Sequence, residues 1–233
     1  METRTFKINN IPAVMYGSQS EKCFLFIHGK QGCKEEGEAF AKTACRYGWQ
    51  VLAVDLPEHG ERKAESNRFN PWCVIPELRQ VFSFMKQDHS VYGLRANSIG
   101  AWFSMQSLSN IVFTKCLFVS PVLDMNKLIA DMMMWSGVTA EELKSRQEIG
   151  TDFGETLSWK YHEFAALHPI EVWNSDTAVL YADKDNLTSR ETVDKFVQKH
   201  NAKLTVMENG EHWFHTPEQI AVLDEWTENS MTD

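Results

Sequence analysis

The chain has 233 residues, of which 43% are hydrophobic and 24% charged, and its 23 Lys and Arg against 32 Asp and Glu give a formal net charge of −9. That length suits one domain carrying an inserted subdomain, and an acidic chain without a basic cluster argues against a nucleic-acid partner, whose phosphates demand concentrated positive charge. No apolar run is long enough to cross a membrane, Met1 to Lys7 lack the apolar stretch of a secretory signal, and the five cysteines are scattered without metal-ligand spacing, so the expectation is a cytoplasmic protein with reduced thiols, no membrane partner and no metal.

Residues 3–8 and 11–16 read as two short strands around the turn Asn9-Asn10. Cys23-Phe24-Leu25-Phe26-Ile27 is a continuous apolar run stopping at His28-Gly29, the mark of a strand buried on both faces. A helix-like stretch, 35–47, ends at Gly48, and a second buried strand, 50–55, leads into Leu56-Pro57-Glu58-His59-Gly60. Leu78, Val81, Phe82 and Met85 fall at helical spacing within 76–88. Further strands are expected at 90–95, 115–120, 177–182 and 203–207, and further helices at 101–105, 189–200 and 217–227, with 229–233 fraying. Strands alternating with helices predict a mostly parallel sheet with helices on both faces. The rhythm breaks once, at 123–174, a Met- and Trp-rich stretch with helix-like segments at 124–134, from Thr139, and at 155–167, and with no convincing strand. Inserted between two strands, it reads as a helical cap, and the rest of the chain (1–122 and 175–233) as the core.

Ala96-Asn97-Ser98-Ile99-Gly100 stands where a strand turns sharply into a helix, with small residues flanking a serine, which is the geometry of a nucleophile elbow. A serine hydroxyl needs a base to take its proton and a carboxylate to orient that base. Asp183 and Asp185 follow the 177–182 strand and His212 follows the 203–207 strand, so all reach the edge that carries Ser98, in the order Ser, Asp, His.

Together with His28-Gly29-Lys30-Gln31-Gly32, Asp55-Leu56-Pro57-Glu58-His59-Gly60 and Gly210-Glu211-His212, these pieces make the chain resemble the α/β-hydrolase fold superfamily, and its small serine carboxylesterases in particular, over nearly its whole length. The resemblance implies Asp185 as the acid, in the pattern Ala182-x-x-Asp185, with Asp183 as the alternative, and His212 as the base in Gly-x-His, ahead of His28, His59, His162, His168 and His215. It implies backbone N–H donors for an oxyanion at Ile99 and at Lys30, with Gln31 the alternate, while the Lys30 side chain is read as solvated. Ala96 and Glu58 depart from the family's usual glycines. The implied activity is cleavage of a small-molecule carboxylic ester through an acyl-enzyme, without a cofactor. Thioesterase, amidase or peptidase activity, and ligand binding without catalysis, are the alternatives. Gln31, Trp102, Trp135, Trp159 and Trp213 are candidate pocket residues, Trp102 being equally readable as core. Oligomeric state leaves no mark in the sequence.

Overall fold

A hairpin opens the chain because Asn9 adopts φ 53°, a left-handed turn that asparagine tolerates. It joins β1 (Thr3–Ile8) to β2 (Ile11–Tyr16). The strands that follow are β3 (Lys22–Ile27), β4 (Gln50–Val54), β5 (Val91–Asn97), β6 (Lys115–Val119), β9 (Thr177–Ala182) and β10 (Lys203–Met207). In the computed structural model, which describes residues 1–232, they form an eight-stranded sheet in the order β1-β2-β4-β3-β5-β6-β9-β10. Only the pairings of β2 with β1 and with β4 are antiparallel; the rest are parallel, as the apolar runs predicted.

Successive side chains of a strand leave opposite faces of the sheet. Cys23, Leu25 and Ile27 of β3 enter one apolar layer and Phe24 and Phe26 the other. The second layer is closed by α1 (Gly37–Ala44) and α8 (Pro217–Thr232), where Phe24 meets Phe40 and Trp49 with ring centroids 4.9 and 4.4 Å apart. The first is closed by α2 (Pro71–Met85), α3 (Ile99–Leu108) and α7 (Arg190–His200). Strand β3 lies between β4 and β5, so the chain leaves it in one direction and later returns on its other side. The crevice beyond the carboxyl ends of β3 and β5 is therefore the sheet's topological switch point, where open α/β sheets bind ligands.

Three expectations are corrected. Helix α2 starts at Pro71, not Pro76: Asn70 caps it, its side chain accepting from the Cys73 N–H at 3.0 Å, and Pro71 takes the first-turn place that suits proline. Pro76 then lies inside, tolerated because Val74, Ile75 and Leu78 on either side of it are buried in the core. The inserted stretch contains strands after all. After α4 (Met125–Trp135) and α5 (Ala140–Arg146) comes a small antiparallel hairpin, β7 (Glu148–Gly150) with β8 (Thr156–Ser158), ahead of α6 (Trp159–Leu167). Each strand has three residues and buries one, Ile149 or Leu157, too little for a visible alternation. Its loop is closed by Thr151, whose N–H and hydroxyl both bond the Glu155 carbonyl, at 2.8 and 2.9 Å. Finally, α8 continues through Thr232 with Ser230 and Met231 buried, so 229–232 do not fray; Asp233 lies outside the described residues.

Loss of the Asn70 side chain removes the nearer of two acceptors of the Cys73 N–H, at 3.0 Å, and leaves only the Asn70 carbonyl at 3.1 Å at the start of the helix that backs the sheet. Asn70→Ala is expected to lower stability by about 1 kcal/mol, a shift of roughly 3 °C in Tm for a chain of this size. Asn70→Asp should retain most of the wild-type Tm in the same thermal melt.

Candidate active site

Ser98 joins β5 to α3 with φ 50° and ψ −125°, a conformation that side-chain-bearing residues avoid and that costs roughly 1–3 kcal/mol. Neighbouring backbone holds it there. The Ser98 N–H donates to the Val119 carbonyl at 2.9 Å, and its carbonyl accepts from Ala101 at 3.1 Å and Val122 at 3.0 Å. The turn packs so closely on the exit of β3 that a Cβ on Gly100 would stand 2.5 Å from the His28 carbonyl oxygen, and one on Gly29 3.1 Å from the Ser98 Cβ. Glycine is required at 100 for this approach, whereas Ala96 is simply buried in the sheet between Ile27 and Phe118, which accommodates its methyl.

Strands β9 and β10 end on the same rim, and the loops after them carry Asp185 and His212. The Ser98 hydroxyl lies 2.8 Å from His212 Nε2, and His212 Nδ1 lies 2.7 Å from Asp185 Oδ2. A carboxylate only accepts, so Nδ1 carries the imidazole proton and Nε2 is left to accept from the serine. Asp185 Oδ1 is fixed by the N–H groups of Leu187 at 2.8 Å and Thr188 at 3.0 Å. The Asp185 carboxylate is fully buried while His212 keeps 17% of its side-chain exposure, so the imidazole faces the crevice. Asp183 is exposed, its backbone bonded to Met207. The structure thus brings Ser98, Asp185 and His212 together and leaves Asp183 apart.

Gly29-Lys30-Gln31-Gly32 form a β-turn beside Ser98, closed by the Gly32 N–H on the Gly29 carbonyl at 3.2 Å. That bond leaves the Lys30 and Gln31 amides outside it, and Ile99, first residue of α3, has no acceptor for its N–H within the helix. Both ends of the turn's segment are anchored on the exit of β4. The Leu56 N–H donates to His28 Nε2 at 3.0 Å, so His28 Nδ1 carries the proton and donates to the Gly29 carbonyl at 2.7 Å. Asp55, fully buried, accepts from the Lys34 N–H at 2.8 Å and the Glu61 N–H at 3.0 Å, and from the Lys34 ammonium at 3.0 Å. Burial alone would lower the Lys34 pKa, but its contacts with Glu35, Glu61 and Asp55 outweigh burial and raise it. The Lys34–Asp55 pair was missed in the sequence; the one signal was Asp55 at the end of an apolar strand, followed five residues on by Gly60, where a Cβ would strike the Asp55 carboxylate.

The remaining candidates scatter. Gln31 is exposed at the crest of the turn, and the Lys30 ammonium is ion-paired with Glu155 of the inserted hairpin rather than simply solvated. Trp102 is 2% exposed and packs against Tyr161 and Phe164 of α6, in the core as much as beside a pocket. Trp135 meets Phe153 edge-on at the surface, Trp159 lies within the insertion under Lys144, and Trp213, next to His212, is 74% exposed and stacked on His215. His59 bonds the Pro57 carbonyl, and His162 and His168 stay within the insertion. A cavity of about 350 Å³ lies against β6, β9 and α8, and another of about 260 Å³ between Trp102, α6 and α7. Among the described residues no three His, Cys, Asp or Glu could hold a metal, and no helix is long and apolar enough to cross a membrane.

Neither a protein-family model nor a curated protein matches the sequence. Solved structures match its shape. Est1E from Butyrivibrio proteoclasticus, with ferulic acid bound, superposes with a TM-score of 0.76 at 16% identity over 98% of each chain. The mouse alpha/beta hydrolase domain-containing protein 10 gives 0.73 at 12% identity over 100% of this chain and 99% of its own. A monoacylglycerol lipase from Paleococcus ferrophilus gives 0.67 at 14% identity, covering 94% and 99%. The chain has the α/β-hydrolase fold.

Burial lowers the His28 pKa from 6.5 to about 4. The unfolded imidazole takes up a proton near 6.5 and the folded one only near 4, so the unfolded chain binds more protons between those values, and stability falls as pH drops through them. The full loss from this group is about 3 kcal/mol. Urea midpoints at about pH 7 and about pH 4.5 should show a smaller decline for His28→Gln than for wild type; equal declines would remove His28 as the source.

Proposed function

We propose that this chain is a serine hydrolase that cleaves carboxylic esters, with Ser98 as nucleophile, His212 as general base and acid, and Asp185 as the residue that orients the imidazole. One observation carries this reading: the unbroken Ser98–His212–Asp185 hydrogen-bond chain, 2.8 and 2.7 Å long, on a serine held in a strained turn at the sheet's switch point. As Ser98 Oγ attacks the ester carbonyl, His212 Nε2 takes its proton, and the buried Asp185 carboxylate favours the imidazolium that forms. The tetrahedral oxyanion accepts from the Ile99 N–H and from the Lys30 N–H, with Gln31 the alternate donor. Protonated His212 then gives its proton to the departing alcohol, leaving the acyl group on Ser98. Water reaching the exposed edge of His212 is deprotonated in turn, attacks the acyl carbon and releases the acid.

In this reading the segment 123–174 covers the acyl side of the crevice. Support comes from its anchors on the core: the Lys30–Glu155 ion pair, the Trp102 contacts with Tyr161 and Phe164, and the bond from Gln106 Nε2 to the His168 carbonyl at 2.5 Å. Exposed Trp213 beside His212, and Phe153 two residues from Glu155, offer aromatic surface to an apolar or aryl ester. The ferulic acid bound by Est1E, an aromatic acid in a protein of the same fold, agrees with that preference.

A fluorophosphonate probe should label wild type and fail on Ser98→Ala. His212→Ala should lower kcat by about 10³-fold or more with little change in Tm, and Asp185→Asn should cost far more than Asp183→Asn. Folded wild-type protein that neither takes the probe nor hydrolyses a panel of short-chain, long-chain, aryl and thioester substrates would overturn the assignment. Turnover of thioesters alone would move it to a thioesterase.

A further inference from the structure

The turn that holds the proposed oxyanion donors is itself strained. Gln31, third of its four residues, has φ 64°, while Lys30 before it stays out of the left-handed region, which is the pattern of a type II turn. That position favours glycine or asparagine; a longer side chain is disfavoured there by about tenfold against right-handed backbone. The relaxed alternative is a type I turn, reached by half a rotation of the Lys30–Gln31 peptide. The bond from the Gly32 N–H to the Gly29 carbonyl closes either form and so selects neither. The anchors through His28 and Lys34 fix the ends of the segment and leave its crest free to rotate.

One side chain holds the crest from outside: the Lys30 ammonium, ion-paired with Glu155 in the loop of the inserted hairpin. Both partners are partly exposed, at 42% and 36%, and such a pair shifts an equilibrium by up to about fivefold. That offsets a large part of the preference for the relaxed turn, so losing this contact shifts the population toward it. The rotation exchanges the Gln31 N–H for the Lys30 carbonyl oxygen on one face of the turn and leaves the Lys30 N–H, on the preceding peptide, in place. Beside a developing oxyanion, an N–H stabilises and a carbonyl oxygen repels.

Resting on the hydrolase reading above, we propose that Glu155 is a positioning residue: through Lys30 it holds the 29–32 turn in its strained form, and so couples the inserted segment to oxyanion stabilisation. Glu155 touches no reacting atom; it acts through Lys30 on the Lys30–Gln31 peptide, which carries the Lys30 carbonyl and the Gln31 N–H, the alternate donor.

The test uses 4-nitrophenyl acetate, a small substrate whose KM leans little on the insertion. Glu155→Gln and Lys30→Met should each lower kcat about fivefold with KM and Tm unchanged. Adding Gln31→Asn to the Glu155→Gln variant should recover most of the loss, because asparagine accepts the left-handed conformation at that position. A wild-type kcat in both single variants overturns the proposal. So does a loss that Gln31→Asn fails to repair, which would make Glu155 a packing or substrate contact. Wild-type protein that neither hydrolyses the ester nor takes the fluorophosphonate probe sinks the hydrolase reading instead, so the two failures are distinguishable.

Discussion

The backbone of Ser98 sits where residues with side chains resist sitting, and the surrounding core is arranged to leave it no alternative. Its N–H is committed to β6 and its carbonyl to Ala101 and Val122. Helix α3 begins immediately, with Ala101, Trp102 and Phe103 buried, so relaxing the turn would pull a fully packed helix out of register. A strain of roughly 1–3 kcal/mol is small against the loss of even one such buried aromatic, about 3–5 kcal/mol. The turn therefore stays tight, the hydroxyl stands above the sheet edge, and the first N–H of α3 stays free beside it.

Parallel pairing brings the rest of the constellation to that hydroxyl. Because β3, β5, β6, β9 and β10 run the same way, their carboxyl ends share one rim, and residues far apart in the chain converge there. The groups differ in how firmly they are held. Asp185 has both oxygens committed, one to two backbone N–H groups and one to His212. The segment of Lys30 is anchored by Asp55, a buried carboxylate whose charge is offset by the Lys34 ammonium and two backbone donors. Removing the Lys34 ammonium would leave the buried Asp55 carboxylate without its cation, which is why the pair holds the loop more stiffly than a surface contact could.

The sequence disclosed the features that rest on long apolar runs and hid those that rest on single contacts. The inner strands of the large sheet were legible because strands buried on both faces are nearly all apolar, and the half-exposed edge strands β1 and β10 from their short β-prone runs beside turns; the Ser98 and His212 loops followed from where strands end. The 148–158 hairpin was not, since three-residue strands with one buried side chain each leave no period to detect. Pro76 misled because proline more often opens a helix than interrupts one; Pro71, five residues earlier, was the true opening. Asp183 and Asp185 flank Lys184 in one loop, and periodicity cannot separate them. What does is three-dimensional: Asp185 turns inward onto the Leu187 and Thr188 amides, whereas Asp183 faces solvent.

The ion pair at Lys30 belongs to the hidden class and lies across a wide gap in sequence, joining residues 125 positions apart. Neither residue is unusual alone, a lysine after a glycine and a glutamate in a short polar loop. Their meeting depends on the hairpin, which brings the Glu155 carboxylate onto the turn beside Ser98. A core of this fold can hold its strand-end groups by sheet geometry alone, but the crest of an irregular turn has no ladder to fix it. A side-chain contact from outside must do so, and here it comes from the one segment that interrupts the strand–helix rhythm. The interruption thus meets the core at a weakly constrained point, the turn that contains the Lys30–Gln31 peptide, where even a weak contact shifts the balance because the competing conformations differ by little.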